Sequence, residues 1–134
     1  MVKLIVGLKG SGKTKTLIDL VNARAAESKG SVICIEKGNK LNIDITHKAR
    51  LIDTDSFMVA DAQALYGFVA GISASNHDIT DIFIDSALKI CADDMPAFEI
   101  FVKEIEKLAE SAGFACVMTA SAKIEDCAAL KEYL

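Results

Sequence analysis

Five short apolar runs set the frame for this chain: VKLIV from Val2, SVICIE from Ser31, ARLID from Ala49, ITDIFID from Ile79 and FACVMTA from Phe114. Each has the length of a strand and draws on β-branched residues. The segments between them carry apolar residues at helical spacing. Within Lys13–Ser28 these are Leu17, Leu20, Val21 and Ala25, with Gly30 as a left-handed stop beyond. Within Phe57–Ala74 they are Met58, Ala62, Leu65, Val69 and Ile72. Asp93, Asp94 and Pro96 open a third helix, whose apolar face runs from Phe98 through Phe101, Val102, Ile105 and Leu108 to Ala112 before Gly113 ends it. Ile124–Leu134 reads as a last, weaker helix. Strands alternating with helices, with no long linker, predict an α/β fold. Helices would cover both faces of a five-stranded, mainly parallel sheet in three αβα layers. Residues 1–134 read as a single domain.

Some stretches leave choices open. Lys37-Gly38-Asn39 reads as a turn, and the alternation of Leu41, Ile43 and Ile45 allows an edge strand or hairpin arm. Thr54, Asp55 and Ser56 are good helix caps before Phe57. Gly67 and Gly71 lie four apart, which suits a helix seated close on a sheet. Asp81, inside the fourth run, is expected in solvent.

Composition narrows the partners. The chain is 51% hydrophobic with a mean hydropathy of +0.32. A sheet buried on both faces accounts for this; an apolar patch that meets a copy of the chain or another protein is the other reading. Net charge is −4, and a pI near 5.1 argues against nucleic acid, which takes a basic face. Cys34, Cys91, Cys116 and Cys127 form no CxxC pair, and with His47 and His77 they make no metal spacing. The apolar start ends at Gly7, short for a secretory signal, and the apolar stretch Phe57–Ala74 is broken by Asp61 and Gln63. A cytoplasmic protein without a membrane partner is expected.

The chemistry is concentrated in GLKGSGKT, Gly7–Thr14, which has the spacing G-x-x-x-x-G-K-[ST] between the first strand and the first helix. Gly7, Gly10 and Gly12 permit backbone angles that side chains forbid. Amides of the loop, Ser11 included, then converge on phosphate oxygens, and the helix N-terminus adds its dipole. Lys13 would reach the outer phosphates, the Thr14 hydroxyl would ligate Mg²⁺, and Lys9 and Lys15 add positive potential. Asp85 ends the apolar strand IFID, where a carboxylate would hold the hydration shell of that Mg²⁺.

On Gly7–Thr14 and Ile82–Asp85 the chain resembles the P-loop NTPase superfamily, whose Walker A and Walker B elements these would be. Two strands, Ser31–Glu36 and Ala49–Asp53, separate the two motifs. That count is similar to the RecA-like, additional-strand branch, which implies the sheet order 5-1-4-3-2. The whole chain also looks like small bacterial ATP-binding proteins of this outline. The resemblance implies ATP and Mg²⁺ as ligands. Many members of the branch follow the Walker B acid with a Glu that activates water; here that position is Ser86. RecA-like members can place the carboxylate at the end of the neighbouring strand instead. Asp53 and Asp55 fill that place if the third strand adjoins the fourth; otherwise they only start a helix. Glu36 is then one strand farther out. Thr119 and Ser121 end the fifth strand, either as sensors of the γ-phosphate or as capping hydroxyls.

Only two arginines occur, Arg24 and Arg50, and Arg24 would point away from phosphate. Weak Mg²⁺-dependent ATP hydrolysis is therefore the leading expectation, helped by self-association or a protein partner. A nucleotide-switched interaction module is the alternative. A small-molecule kinase is a further one, with Lys37–Lys48 as its only lid. Lys37, Lys40, Lys48 and Arg50 otherwise read as a solvated loop.

Overall fold

The computed structural model describes residues 1–134. β1 (Val2–Gly7) leads through the glycine loop into α1 (Lys13–Glu27). β2 (Ser31–Glu36) and β3 (Arg50–Asp53) follow, joined by a run of turns. A 3₁₀ turn, Thr54–Phe57, precedes α2 (Ala62–Ser75), β4 (Ile79–Ile84) and the one-turn α3 (Ala87–Ile90). α4 (Met95–Ala112), β5 (Ala115–Ser121) and a 3₁₀ segment, Ile124–Tyr133, complete the chain.

The α/β class and the parallel sheet are as the sequence predicts. The five strands lie in the order β1-β5-β4-β2-β3, every pairing parallel. The expected order 5-1-4-3-2 is not found. β5 lies inside the sheet between β1 and β4, and β3 lies at an edge beside β2. Charge explains the placement. Lys3 of β1 and Arg50 of β3 are exposed, and their strands form the two edges. There a basic side chain meets water and discourages further pairing. β2, buried from Val32 to Glu36, takes an interior place.

Side-chain alternation divides the sheet between two faces. Ile33, Ile35, Ile82, Ile84, Cys116 and Met118 join the larger core, which α2 and α4 cover. Val32, Cys34 and Phe83 point the other way, onto Leu17 and Val21 of α1. The turns between β2 and β3 complete that second face. Leu41 and Ile45 are buried in it, while Ile43 is 96% exposed. No edge strand or hairpin arm forms there. The spacing that matters is four: Ile45 N donates to Leu41 O at 3.0 Å, which turns both side chains toward α1. Asn22 of α1 pins the segment, its Nδ2 donating to Asp44 O at 2.8 Å and its Oδ1 accepting from Thr46 N at 2.9 Å.

Other expectations are also corrected. The helix predicted from Phe57 begins at Ala62, because Met58 is left-handed (φ 59°) and Asp61 supplies the cap, accepting from Ala64 N at 2.8 Å. Gly67 and Gly71 face open space and are no notch against the sheet. The last segment is 3₁₀, with non-helical backbone at Cys127 and Leu130. Asp81 is 6% exposed. Arg24 grips it with two prongs, Nε to Oδ2 at 3.1 Å and Nη2 to Oδ1 at 3.0 Å, and Thr80 Oγ1 donates to Oδ1 at 2.7 Å. All four cysteines are free and buried. Burial pushes the Cys34, Cys91 and Cys116 thiols up to about 12, so they act as small apolar side chains. No helix is long and apolar enough to cross a membrane.

Candidate functional site

The loop after β1 is shaped by its glycines. A Cβ on Gly7 would stand 2.6 Å from Ser11 Oγ, so a side chain there would push the serine hydroxyl aside. Gly10 and Gly12 are both left-handed, with φ 86°. Gly12 precedes α1 without any side-chain cap, and no acid lies in the first turn of the helix. Ser11 N donates to Leu8 O at 3.1 Å, and Lys13 Nζ donates to the same carbonyl at 3.0 Å. Lys13 is thereby drawn across the loop and is 9% exposed, while Lys9 to Gly12 remain open to solvent. Thr16 N donates to Gly12 O at 3.1 Å. The first-turn amides before it have no helical acceptor one turn back. Free amides, a helix dipole and an ammonium in one place form a cradle for an anion.

Asp85 faces this cradle from β4. Its amide donates to Ile35 O at 2.8 Å, which aligns it with β2. The side chain is 8% exposed. Thr119 Oγ1 donates to Asp85 Oδ1 at 2.7 Å. Thr14 Oγ1 stands 3.2 Å from Oδ1 and 3.4 Å from Oδ2, and Ser86 Oγ stands 3.5 Å from Oδ2. No cationic side chain forms an ion pair with Asp85. Ser86 is left-handed (φ 57°), which turns its amide back onto Thr119 Oγ1 at 2.7 Å. Thr119 is 1% exposed and has its one donor proton on Asp85. It therefore positions the acid. Ser121, level with Gly7 across the β1–β5 pairing, is exposed.

Asp53 and Asp55 lie apart from this group. β3 pairs with β2 and does not adjoin β4, so the neighbouring-strand argument does not reach them. Asp53 Oδ1 accepts from Gly38 N at 2.7 Å and Asp55 N at 2.8 Å, and its Oδ2 accepts from Ser56 Oγ at 3.1 Å. Desolvation pushes this carboxyl up, but those donors and the Lys37 charge outweigh it and hold the group below the usual range. Asp55 pairs with Lys37 at 2.7 Å.

The strand beside β4 is β2, and it ends in Glu36. Glu36 is 2% exposed, and its Oε1 accepts from Lys40 N at 3.0 Å and Leu41 N at 3.3 Å. Burial pushes its carboxyl above the ordinary range; the Leu41 and Lys40 amides pull it down, and the charges of Asp53 and Asp85 add to the rise. The sequence held a signal for this exchange of places. SVICIE is uninterrupted and reads as interior, whereas ARLID carries an arginine and reads as an edge.

Magnesium bound with a nucleotide takes one or two protein oxygens besides phosphate and water. Thr14 and Asp85 offer a hydroxyl and a buried carboxylate that lacks a cation, so the donor set fits. Compared with known protein families and with the curated proteins, the chain matches none.

Proposed function

We propose that this chain binds a nucleoside triphosphate, foremost ATP, as its Mg²⁺ complex at Gly7–Thr14 and hydrolyses it slowly. One observation carries the reading. A buried carboxylate without a cationic partner, Asp85, stands 3.2 Å from the Thr14 hydroxyl at the mouth of an uncapped helix N-terminus. The loop amides and Lys13 take the phosphates, with Lys13 exchanging the Leu8 carbonyl for phosphate oxygen. Thr14 and Asp85 hold the metal, which when bound neutralises charge on the phosphates. No guanine-specifying N-K-x-D element occurs, which favours adenine.

Glu36 is the better candidate for the water-orienting role that the sequence offers conditionally to Asp53 and Asp55, being next to β4, buried and raised in pKa. Slowness follows from the arginines. Arg24 is engaged by Asp81, and Arg50 sits in the far edge strand. A second reading, a nucleotide-switched interaction module, is favoured by the engagement of both Glu36 oxygens with backbone amides.

Nucleotide binding and phosphate release, followed together with ATP and Mg²⁺, test both readings. Release is expected at about 10⁻³ s⁻¹ or slower. Lys13→Ala should weaken binding by about tenfold or more. Glu36→Gln should abolish release and spare binding, while Asp53→Asn spares both. Binding without release at high protein concentration moves the conclusion to the interaction module. No binding at all removes the proposal.

A further inference from the structure

A second cavity lies along the same edge of the sheet. It has a volume of about 190 Å³ and is lined by Lys37, Gly38, Lys40, Asp55, Ser86 and Lys89, with no apolar side chain among them. These residues follow three different strands: Lys37 to Lys40 follow β2, Asp55 follows β3, and Ser86 and Lys89 follow β4. β4 and β2 are neighbours, and Ser86 comes directly after Asp85. Adjacent strands are about 4.8 Å apart, so the cavity opens within roughly two strand spacings of the Thr14–Asp85 pair. It belongs to neither the glycine loop nor that pair.

Its charge is the opposite of the chain's. Three lysines and one aspartate line it, a net charge of two positive on a chain of net charge −4. Lys37 and Asp55 cancel one another at 2.7 Å. Lys40 and Lys89 enter no ion pair. The nearest further acids do not neutralise them. Asp53 is turned to the amides of Gly38 and Asp55, and Glu36 to the amides of Lys40 and Leu41. Both acids thus hold in place the backbone that presents Lys37 and Lys40. The Ser86 hydroxyl has only a 3.5 Å contact to Asp85 and lines the cavity from a left-handed residue held by Thr119.

Two uncompensated ammonium groups and a weakly engaged hydroxyl match a group with two negative charges and several acceptor oxygens. A phosphate monoester has both; a carboxylate has one charge. Pockets that enclose whole drug-sized ligands measure roughly 300–1,000 Å³, so this one takes a headgroup. We propose that the cavity binds the phosphate group of a small phosphorylated molecule at the carboxyl ends of β2 and β4. The inference stands apart from the nucleotide reading, because none of its ligating residues lies in the loop.

The test is a titration of isotope-labelled protein with inorganic phosphate at fixed ionic strength, following backbone amides by NMR. The amides of Gly38, Ser86 and Lys89 should shift saturably, with half-saturation at about 1–10 mM. Glycerol 3-phosphate, a phosphate monoester, should reproduce the shifts at equal or lower concentration. Lys40→Ala and Lys89→Ala should each raise half-saturation by about tenfold, and together remove saturation. Both side chains are exposed, so the variants keep the fold. Shifts that never saturate, saturation that survives both substitutions, or binding of inorganic phosphate but not the ester would each overturn the proposal. Gly10 to Thr14 report separately in the same spectra. Silence there counts against the nucleotide reading and leaves the second site standing.

Discussion

Asp81 and Asp85 lie four residues apart, in β4 and just beyond its end, and they are 6% and 8% exposed. Their surroundings differ in kind. Asp81 meets a guanidinium with two prongs and a threonine hydroxyl. Asp85 meets hydroxyls alone, from Thr119, Thr14 and Ser86. A buried carboxylate without an opposite charge is unfavourable. The fold supplies that charge at one end of the strand and withholds it at the other. The first end holds the sheet to α1. The second meets hydroxyls only, at the end that faces the glycine loop, where the proposed function places Mg²⁺.

The largest effect expected from this difference is on stability. Arg24→Ala strands the Asp81 carboxylate among buried neighbours and should lower Tm by roughly 5–10 °C. Asp81→Asn should lower it less, since the amide oxygen still accepts from Thr80 and Arg24. Scanning calorimetry of the variants beside Asp85→Asn decides the matter. An equal fall for Asp85→Asn, or none for Arg24→Ala, would erase the distinction between the two ends.

The same pair marks how far the sequence can be read. The loop and Asp85 were legible because their signals are local: a spacing of eight residues, and an acid that ends an apolar strand. The burial of Asp81 is not legible in the sequence because its partner lies 57 residues away, and no local pattern pairs it with Arg24. Strand order was misread for a related reason. Run lengths do not rank strands, whereas the charges of Lys3 and Arg50 do mark the edges. With the order misread, Glu36 was set one strand too far out and Asp53 one strand too near. The lysines of the second cavity come from the turns after β2 and from α3, and no local pattern joins Lys40 to Lys89; only the sheet does.

A smaller effect sharpens the comparison from the other end. Asp85→Asn removes a buried charge that no cation answers and keeps an oxygen for Thr119. Stability should stay level or rise by up to about 1 kcal/mol. ATP titrations should then lose the increment that Mg²⁺ gives the parent protein, about tenfold, while affinities in a chelator match. A variant that keeps its Mg²⁺ increment would show that Asp85 does not hold the metal.

The smallest effect concerns Glu36, a third buried acid that lies between the two cases: it meets no cation, but two amides. Burial raises its carboxyl above the ordinary range, so the native protein holds that proton more tightly than the unfolded chain, where Glu titrates near pH ~4.3. Between that pH and the raised native value, the native state binds more protons. The contribution of Glu36 to stability is therefore full below about pH 4.3 and is lost as pH rises through the native value. Asp53 runs the opposite way. Its depressed carboxyl contributes stability above about pH 3.9 that is lost as pH falls through its native value. Glu36→Gln has no such proton and keeps an oxygen for the Lys40 and Leu41 amides. Urea unfolding of both proteins from about pH 4 to 8 isolates the group. The stability of the parent relative to the variant should fall with rising pH, no more steeply than about 1.4 kcal/mol per unit, and then level off. A flat difference would mean that the two amides hold Glu36 as firmly ionised as Asp53, and the case for it as the water-orienting base would fall with the slope.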